Sequence, residues 1–281
     1  MAELLRCYRH PDRETGVSCS ECGRGICPDC MVFAPVGIRC PDHSGQAQGA
    51  RRVVRNVQRR TARNAGAVTT ALIAINVGIY LLQLAGGAPV SANGGWIFEH
   101  GALFGPYVAQ GDWYRLLSAA FLHYGPVHLG LNMLAIWWIG RPLEDWLGPM
   151  RYVLLYLVSG LAGSAGALIA NPTGVTVGAS GAIFGILGAA IVLERQQTYV
   201  LGGSAITLLV LNLAFTFAVP GISIGGHLGG LAGGALAILA LSQFGNRSAV
   251  HSRFDLVSIV SLLAIGVVSV AVAYWKVRGY A

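Results

Sequence analysis

From about residue 68 onward the chain is a series of long apolar blocks broken by short polar or charged clusters, while residues 1–49 are polar and cysteine-rich and 50–66 arginine-rich. Seven blocks have the length and apolarity of membrane-crossing or buried helices: 68–85, 127–147, 152–170, 180–193, 205–219, 224–241 and 256–275. Blocks four and five fall short of the roughly 20 residues that span a bilayer, so either could instead be a buried or re-entrant helix. Seven crossings are expected rather than five.

Composition sharpens this picture. Of 281 residues, 54% are hydrophobic and only 11% charged, with 39 glycines and a mean hydropathy of +0.59. Such values exclude an ordinary soluble enzyme. Disorder, collagen and a secreted disulfide scaffold are excluded as well, because the apolar residues are clustered and all six cysteines lie within the first 40 positions. The expectation is an all-α membrane protein with a small cysteine-rich head. No cleavable signal peptide is expected, since the opening residues are charged and include metal-ligand types.

Lys and Arg are retained on the cytoplasmic side of bacterial-type membranes. With the N-terminus inside and seven crossings, 16 of the 19 Lys and Arg residues fall on the inner side, and only Arg115, Lys276 and Arg278 fall outside. The formal charge of +7 therefore reads as topology, with the C-terminus outside. Nucleic acid is not an expected partner: Arg51 to Arg63 stand directly before the first apolar block, where they attract anionic lipid. One lysine against eighteen arginines points to a GC-rich bacterial genome and hence a bacterial plasma membrane.

In the head, Cys7 and His10, Cys19 and Cys22, Cys27 and Cys30, and Cys40 and His43 form four pairs, each with two residues between the ligands. That spacing lets each pair grip one edge of a tetrahedral zinc, and eight ligands make two sites with no cysteine left over. Pairing is open between a sequential scheme (first pair with second, third with fourth) and an interleaved one (first with third, second with fourth). Four protein ligands leave no open position, so both zincs would be structural. A segment this short needs such a staple to fold.

Polar side chains inside apolar spans are costly and therefore informative. Block two begins with His128 and Asn132, an i, i+4 pair on one helical face. Block four begins with Ser180 inside Gly178-Ala179-Ser180-Gly181, and block six with His227 among Gly225, Gly226, Gly229 and Gly230. In the arginine-derived topology all three open on the outer side. Counting back to the inner polar ends at Arg141, Glu194 and Gln243 gives heights of about 20, 21 and 24 Å at 1.5 Å per residue. All three thus sit at one level, several Å below the surface of a core about 30 Å thick. Gly181 and Gly185, and Gly226, Gly230 and Gly234, recur every fourth residue and permit close helix contact. A serine and a histidine held together there point to nucleophile and general base. His128, Asn132 and the Ser180 backbone N–H can donate to a developing oxyanion. Ala182 stands where the soluble-hydrolase G-x-S-x-G elbow requires glycine, so that motif adds nothing.

On these residues the chain resembles a rhomboid-family intramembrane serine protease. The likeness runs from about Trp113 to Gly234: Trp113 and Arg115, then His123, His128 and Asn132, then Glu144, GASG around Ser180, and the glycine-flanked His227. It implies a six-helix bundle over residues 67–244, with Ser180 as nucleophile, His227 as base and His128 with Asn132 in the oxyanion hole. His123 and the Trp113 to Arg115 loop would be structural or positioning. Phe184 stands where some members carry tyrosine, one turn after the serine. Residues 245–281 add a seventh transmembrane helix and tail. The head, 1–49, resembles a B-box-type zinc finger, a cross-braced binding module, which favours interleaved ligands and implies a protein partner. No catalytic cofactor is implied.

The expected chemistry is attack by Ser180 on the scissile carbonyl of a substrate transmembrane helix, with His227 shuttling the proton and no carboxylate as third member. Competing readings are a cation or proton transporter using His123, His128 and His227, which leaves Ser180 without a role, and a non-catalytic membrane chaperone of rhomboid-like shape.

Overall fold

The computed structural model describes residues 5–34, 36–44, 66–90, 94–244 and 256–280, which fall into two units, Met1–Asn64 and Ala65–Ala281. The arginine-rich linker expected over 50–66, apart from Gly66, and the topology-bearing Arg247 and Arg253 lie outside the described residues.

The first unit is built from two two-stranded antiparallel ribbons. β1 (Leu5–Arg6) pairs with β2 (Glu14–Thr15), and β3 (Val32–Phe33) with β4 (Ile38–Arg39). A single 3₁₀ turn, Pro28–Cys30, lies between the ribbons. Among the described residues its buried apolar side chains are five cysteines and Ile26, too little apolar surface to offset the entropy of ordering the chain. Exposed ion pairs such as Arg9–Asp42 at 2.6 Å and Arg39–Glu21 at 3.1 Å add little in water.

The second unit is helical. α1 (Ala67–Ala85) is followed by four short elements: α2 (Trp96–Gly101), α3 (Gly105–Ala109), α4 (Arg115–Ser118) and a 3₁₀ turn, Ala119–Phe121. α5 (Pro126–Ala135) continues through a five-residue π segment, Ile136–Gly140, into α6 (Arg141–Leu147). α7 (Pro149–Ala170), α8 (Ser180–Arg195), α9 (Ala205–Ala218), α10 (Ile224–Phe244) and α11 (Leu256–Val277) complete it. All seven apolar blocks are therefore helical. Among the described residues four helical stretches, within α1, α7, α10 and α11, are long and apolar enough to cross a membrane by length and composition.

Large apolar side chains line the outside: Val210, Leu211, Phe215 and Phe217 of α9 and Val267 and Val268 of α11 are exposed. A surface of this kind is stable against lipid and a liability in water. The interior is organised around α8, where Ala182 to Ala190 are all buried. Its 16 residues reach only about 24 Å at 1.5 Å per residue. A helix that short, held at the centre of a bundle, ends inside a hydrocarbon layer of about 30 Å, and the residue at its N-terminal end is Ser180.

Close approach to α8 is made by glycine. Gly163 of α7, Gly181 of α8 and Gly226 of α10 meet backbone to backbone: a β-carbon on Gly163 would lie 3.0 Å from Gly181 Cα and 3.1 Å from the Gly226 carbonyl oxygen. Further along, Gly230 abuts the Gly181 carbonyl and Gly234 the Gly185 carbonyl, which is the every-fourth-residue face expected from the sequence.

Candidate active site and metal centres

Ser180 is the first residue of α8, half-buried, with its backbone N–H at a helix N-terminus. The chain reaches it through Gly178, whose φ of +122° is open to glycine and strained for other residues. A side chain there would also collide with His128: its β-carbon would sit 2.7 Å from Cε1 and 2.8 Å from Nε2 of that ring, and 3.8 Å from Ser180 Oγ. The empty side of Gly178 is thus where the His128 imidazole and the serine hydroxyl come together. The Gly178 N–H donates to the Ala119 carbonyl at 2.9 Å, tying the serine loop to the turn after α4.

One turn along α8, Phe184 faces the same way as Ser180. Its ring stacks on His227 at a centroid distance of 4.0 Å and an interplanar angle of 16°. His227, buried in the first turn of α10, also meets Thr216 of α9, with Nδ1 and Oγ1 2.8 Å apart. Ser180 and His227 are not hydrogen-bonded to each other; they share one face of α8 through Phe184. Catalytic hydrogen bonds are often long before substrate binds.

Asn132 is buried, and its side-chain nitrogen donates to the His128 carbonyl at 2.8 Å, one turn back on its own helix. A second N–H of that amide is left to donate elsewhere. His128 accepts from the Tyr124 N–H through Nδ1 at 3.4 Å, leaving Nε2 on the side of Gly178.

The remaining sequence-selected residues hold the frame. Arg115 is 3% exposed and donates to the carbonyls of Glu99 and Ala102 at 2.8 and 2.9 Å and to Asp112 at 2.9 Å, with its guanidinium 4.6 Å from the Tyr107 ring centre. It therefore gathers the short elements α2 to α4. Trp113 is half exposed and stacks on Tyr274 of α11 at 5.1 Å. Arg115 begins a short helix, so the Trp113 to Arg115 segment is loop only up to that point. His123 is 2% exposed, and its backbone is clamped by the Gln83 side chain of α1, which accepts from the His123 N–H at 3.2 Å and donates to its carbonyl at 3.4 Å. The His123 ring lies 5.1 Å from that of His128. Glu144 of α6 is buried and caps α1 from outside: its carboxylate accepts from the Val68 and Thr69 N–H groups at 2.9 and 2.8 Å and from the Thr69 hydroxyl at 2.7 Å. Sequence reasoning missed Thr216, Gln83 and Thr69, each an uncharged side chain with no motif to mark it.

In the first unit the eight ligand candidates form two groups, Cys7, His10, Cys27 and Cys30, and Cys19, Cys22, Cys40 and His43, with ligand atoms within 4.8 Å of one another. This grouping is the interleaved one. His10 Nδ1 lies 3.7, 3.4 and 3.5 Å from the sulfurs of Cys7, Cys27 and Cys30. Cys40 Sγ lies 3.9 Å from Cys22 Sγ and 3.2 Å from His43 Nδ1. Zn–S bonds of about 2.3 Å and Zn–N bonds of about 2.0 Å give tetrahedral edges of about 3.8 Å between sulfurs and about 3.5 Å between sulfur and nitrogen. The residues present fit that group. Burial raises the Cys7 thiol pKa, but hydrogen bonds from the Cys27 and Arg9 backbone and from His10 bring it down to about 6. Cys19 is likewise brought to about 6, by the Cys40, Cys22 and Glu21 backbone acting against burial. In the same clusters burial and the neighbouring Cys7 and Cys27 push Cys30 up to about 11, and Cys22 is raised as well; the thiolate is the metal-binding form.

The fold defines a helical membrane protein in which glycine-mediated contacts bring α7, α8 and α10 together beside Ser180 and His227. A family model described as Rhomboid domain matches residues 110–244. The chain is 38% identical over 197 residues to rhomboid protease GluP of Bacillus subtilis (strain 168), covering 67% of this chain and 36% of GluP. It is 37% identical over 134 residues to YdcA of the same organism, covering 46% of this chain and 67% of YdcA. To rhomboid-type serine protease 2 of Emericella nidulans it is 35% identical over 159 residues, covering 53% of this chain and 30% of that protein. The chain belongs to the rhomboid family. It spans about a third of the length of GluP, and the head and α11 lie outside the matched domain.

Proposed function

We propose that the protein is an intramembrane serine endopeptidase that cuts transmembrane segments of membrane-protein substrates with a Ser180–His227 dyad. Two contacts support this reading: His128 and the Ser180 hydroxyl converge on the bare side of Gly178, and His227 stacks on Phe184, one turn along α8 from Ser180. Ser180 Oγ attacks the scissile carbonyl and His227 Nε2 takes its proton, then returns it to the leaving amine; water hydrolyses the acyl-enzyme with His227 again as base. His128 Nε2, the free N–H of Asn132 and the Ser180 backbone N–H stabilise the oxyanion. His123, Trp113, Arg115, Glu144 and Phe184 position these groups.

The same reading takes residues 67–244 as a six-helix catalytic core and α11 as an added seventh crossing in a bacterial plasma membrane, the N-terminus cytoplasmic and the C-terminus outside. The arginine distribution supports that orientation. The head is a B-box-type finger in which Cys7, His10, Cys27 and Cys30 would hold one structural zinc and Cys19, Cys22, Cys40 and His43 another. Zinc there supplies folding energy to a unit whose own core is small. A fold stapled in this way presents a rigid surface to a protein partner or substrate.

The test is cleavage of a transmembrane substrate in liposomes by wild-type and Ser180→Ala protein, with products mapped by mass spectrometry. A cut toward the outer end of the substrate helix, lost in the variant, is the expected result. Cleavage that survives Ser180→Ala overturns the dyad; ion flux without cleavage would support a transporter instead.

A further inference from the structure

His227 has a hydrogen-bond partner that comes from neither of the helices carrying the proposed catalytic pair. Thr216 lies in the last turn of α9, buried to 2% exposure. Its hydroxyl makes two contacts: Oγ1 donates to the Asn212 carbonyl at 2.7 Å, and it lies 2.8 Å from His227 Nδ1. A hydroxyl has one hydrogen and two lone pairs. With the hydrogen given to Asn212, Thr216 Oγ1 can only accept from the histidine, so Nδ1 carries the ring proton. The lone pair of the neutral imidazole then resides on Nε2, the nitrogen that a general base toward Ser180 must use. On the opposite side the ring is held flat against Phe184.

We propose that Thr216 is the positioning residue of the site, fixing the tautomer and orientation of His227 in the place where a catalytic carboxylate would stand. The proposal rests on the reading of Ser180 and His227 as a dyad. The carboxylates on the neighbouring elements are engaged elsewhere: Asp112 with Arg115, Glu144 with the start of α1, and Glu194 with the N–H groups of Gly203 and Ala205. The titratable side chain that acts on His227 electrostatically is His128, while α8 and α9 present Phe184 and Thr216 to it. An acceptor at Nδ1 remains favourable after Nε2 is protonated, so Thr216 stabilises the imidazolium formed during acylation.

The experiment uses the full chain in detergent micelles with two variants, Thr216→Val, which keeps shape and loses the hydroxyl, and Thr216→Ser, which keeps the hydroxyl. Three readouts are taken: cleavage of a transmembrane substrate, the rate of covalent labelling by a fluorophosphonate across pH, and ring-¹⁵N histidine NMR. Thr216→Val should lower kcat and the labelling rate by roughly 10- to 100-fold with KM little changed, and shift the acid limb of the labelling profile to lower pH. Thr216→Ser should stay within about threefold of wild type. In wild-type protein the His227 signals should report the Nδ1–H tautomer, and in Thr216→Val a mixture. An Nε2–H tautomer in the wild type overturns the assignment, as does a Thr216→Ser variant as slow as Thr216→Val, which would make packing the cause. If the wild type neither cleaves nor labels, the dyad reading fails by itself, and the tautomer still decides what Thr216 does.

Discussion

Glu144 offers the most quantitative test of how this bundle is held together. Its carboxylate accepts three hydrogen bonds at the start of α1, from two backbone N–H groups and a hydroxyl, while it is 2% and Thr69 1% exposed. The first N–H groups of a helix have no partner within it, and at Val68 and the buried Thr69 the carboxylate is their acceptor. In Glu144→Gln one oxygen still accepts from Val68, and the Thr69 hydroxyl can turn to accept from the new amide. What remains unpaired is the Thr69 N–H, at about 1–3 kcal/mol. The lost interaction of charge with the helix N-terminus adds roughly 0.3–1 kcal/mol. The sum is about 1.3–4 kcal/mol. Glu144→Ala strands all three donors and opens a cavity, so it should cost more, while Thr69→Val, which removes one hydroxyl, should cost about 1 kcal/mol. Reversible unfolding in mixed micelles should return the order Ala, Gln, then Thr69→Val, from most to least destabilised. A Glu144→Ala variant within about 0.5 kcal/mol of wild type would refute the capping argument.

Four further outcomes follow from the geometry. Gly178→Ala forces a side chain into the His128 ring at a positive φ, so substrate turnover should fall at least about tenfold. Asn132→Ala should slow cleavage roughly 10- to 1000-fold if its free N–H meets the oxyanion; unchanged turnover removes that role. Since His227 must be neutral to accept the serine proton, kcat/KM should be full at alkaline pH and decline as acid protonates the ring, and a flat profile down to pH 5 would count against it as base. Metal analysis should find two zinc ions per chain, and the double variant Cys7→Ser, Cys27→Ser should lose one of them if the ligands interleave but both if they pair sequentially.

The helical blocks and the chemistry were legible because the membrane penalises polar groups: Ser180, His128, Asn132 and His227 stand out against their neighbours, and a serine or histidine deep in an apolar block needs a reason. The glycine faces were legible for the related reason that a four-residue repeat of small residues aligns along one side of a helix. The segment from Trp96 to Phe121 was not, since its helices are four to six residues long and are held by Arg115 donating to the carbonyls of Glu99 and Ala102 at the end of α2 rather than by their own periodicity. Nor was Thr216. A threonine on a helix usually bonds back to its own carbonyl four residues earlier, and this one does; its second contact exists only because α9 and α10 converge. In the head, spacing could fix the ligand set, but pairing depends on how β1–β2 and β3–β4 bring distant pairs together, which is tertiary information.

Helix α11 is more than an appendage to the helical unit. Tyr274 stacks on Trp113, and Val277 and Ala273 are buried in one cluster with Leu103, Val108, Leu116 and Ala119. Ser164 of α7 donates to the Leu116 carbonyl at 2.7 Å, and the Ala119 carbonyl accepts from Gly178 at 2.9 Å, two residues before Ser180. A path of direct contacts therefore runs from α11 through the short elements to the loop that sets the serine. None of these contacts touches the reacting atoms, so α11 should act on the rate by narrowing the positions Ser180 can occupy. Loosening that brace, for instance by Tyr274→Ala, should reduce turnover while leaving His227 and its Thr216 bond unaffected, because α9 and α10 are fixed from the other side by Glu194 and by the glycine contacts with α8. The site is thus held by two separable supports, one on the nucleophile and one on the base. They meet at α8, the helix that carries Ser180 at its N-terminal end.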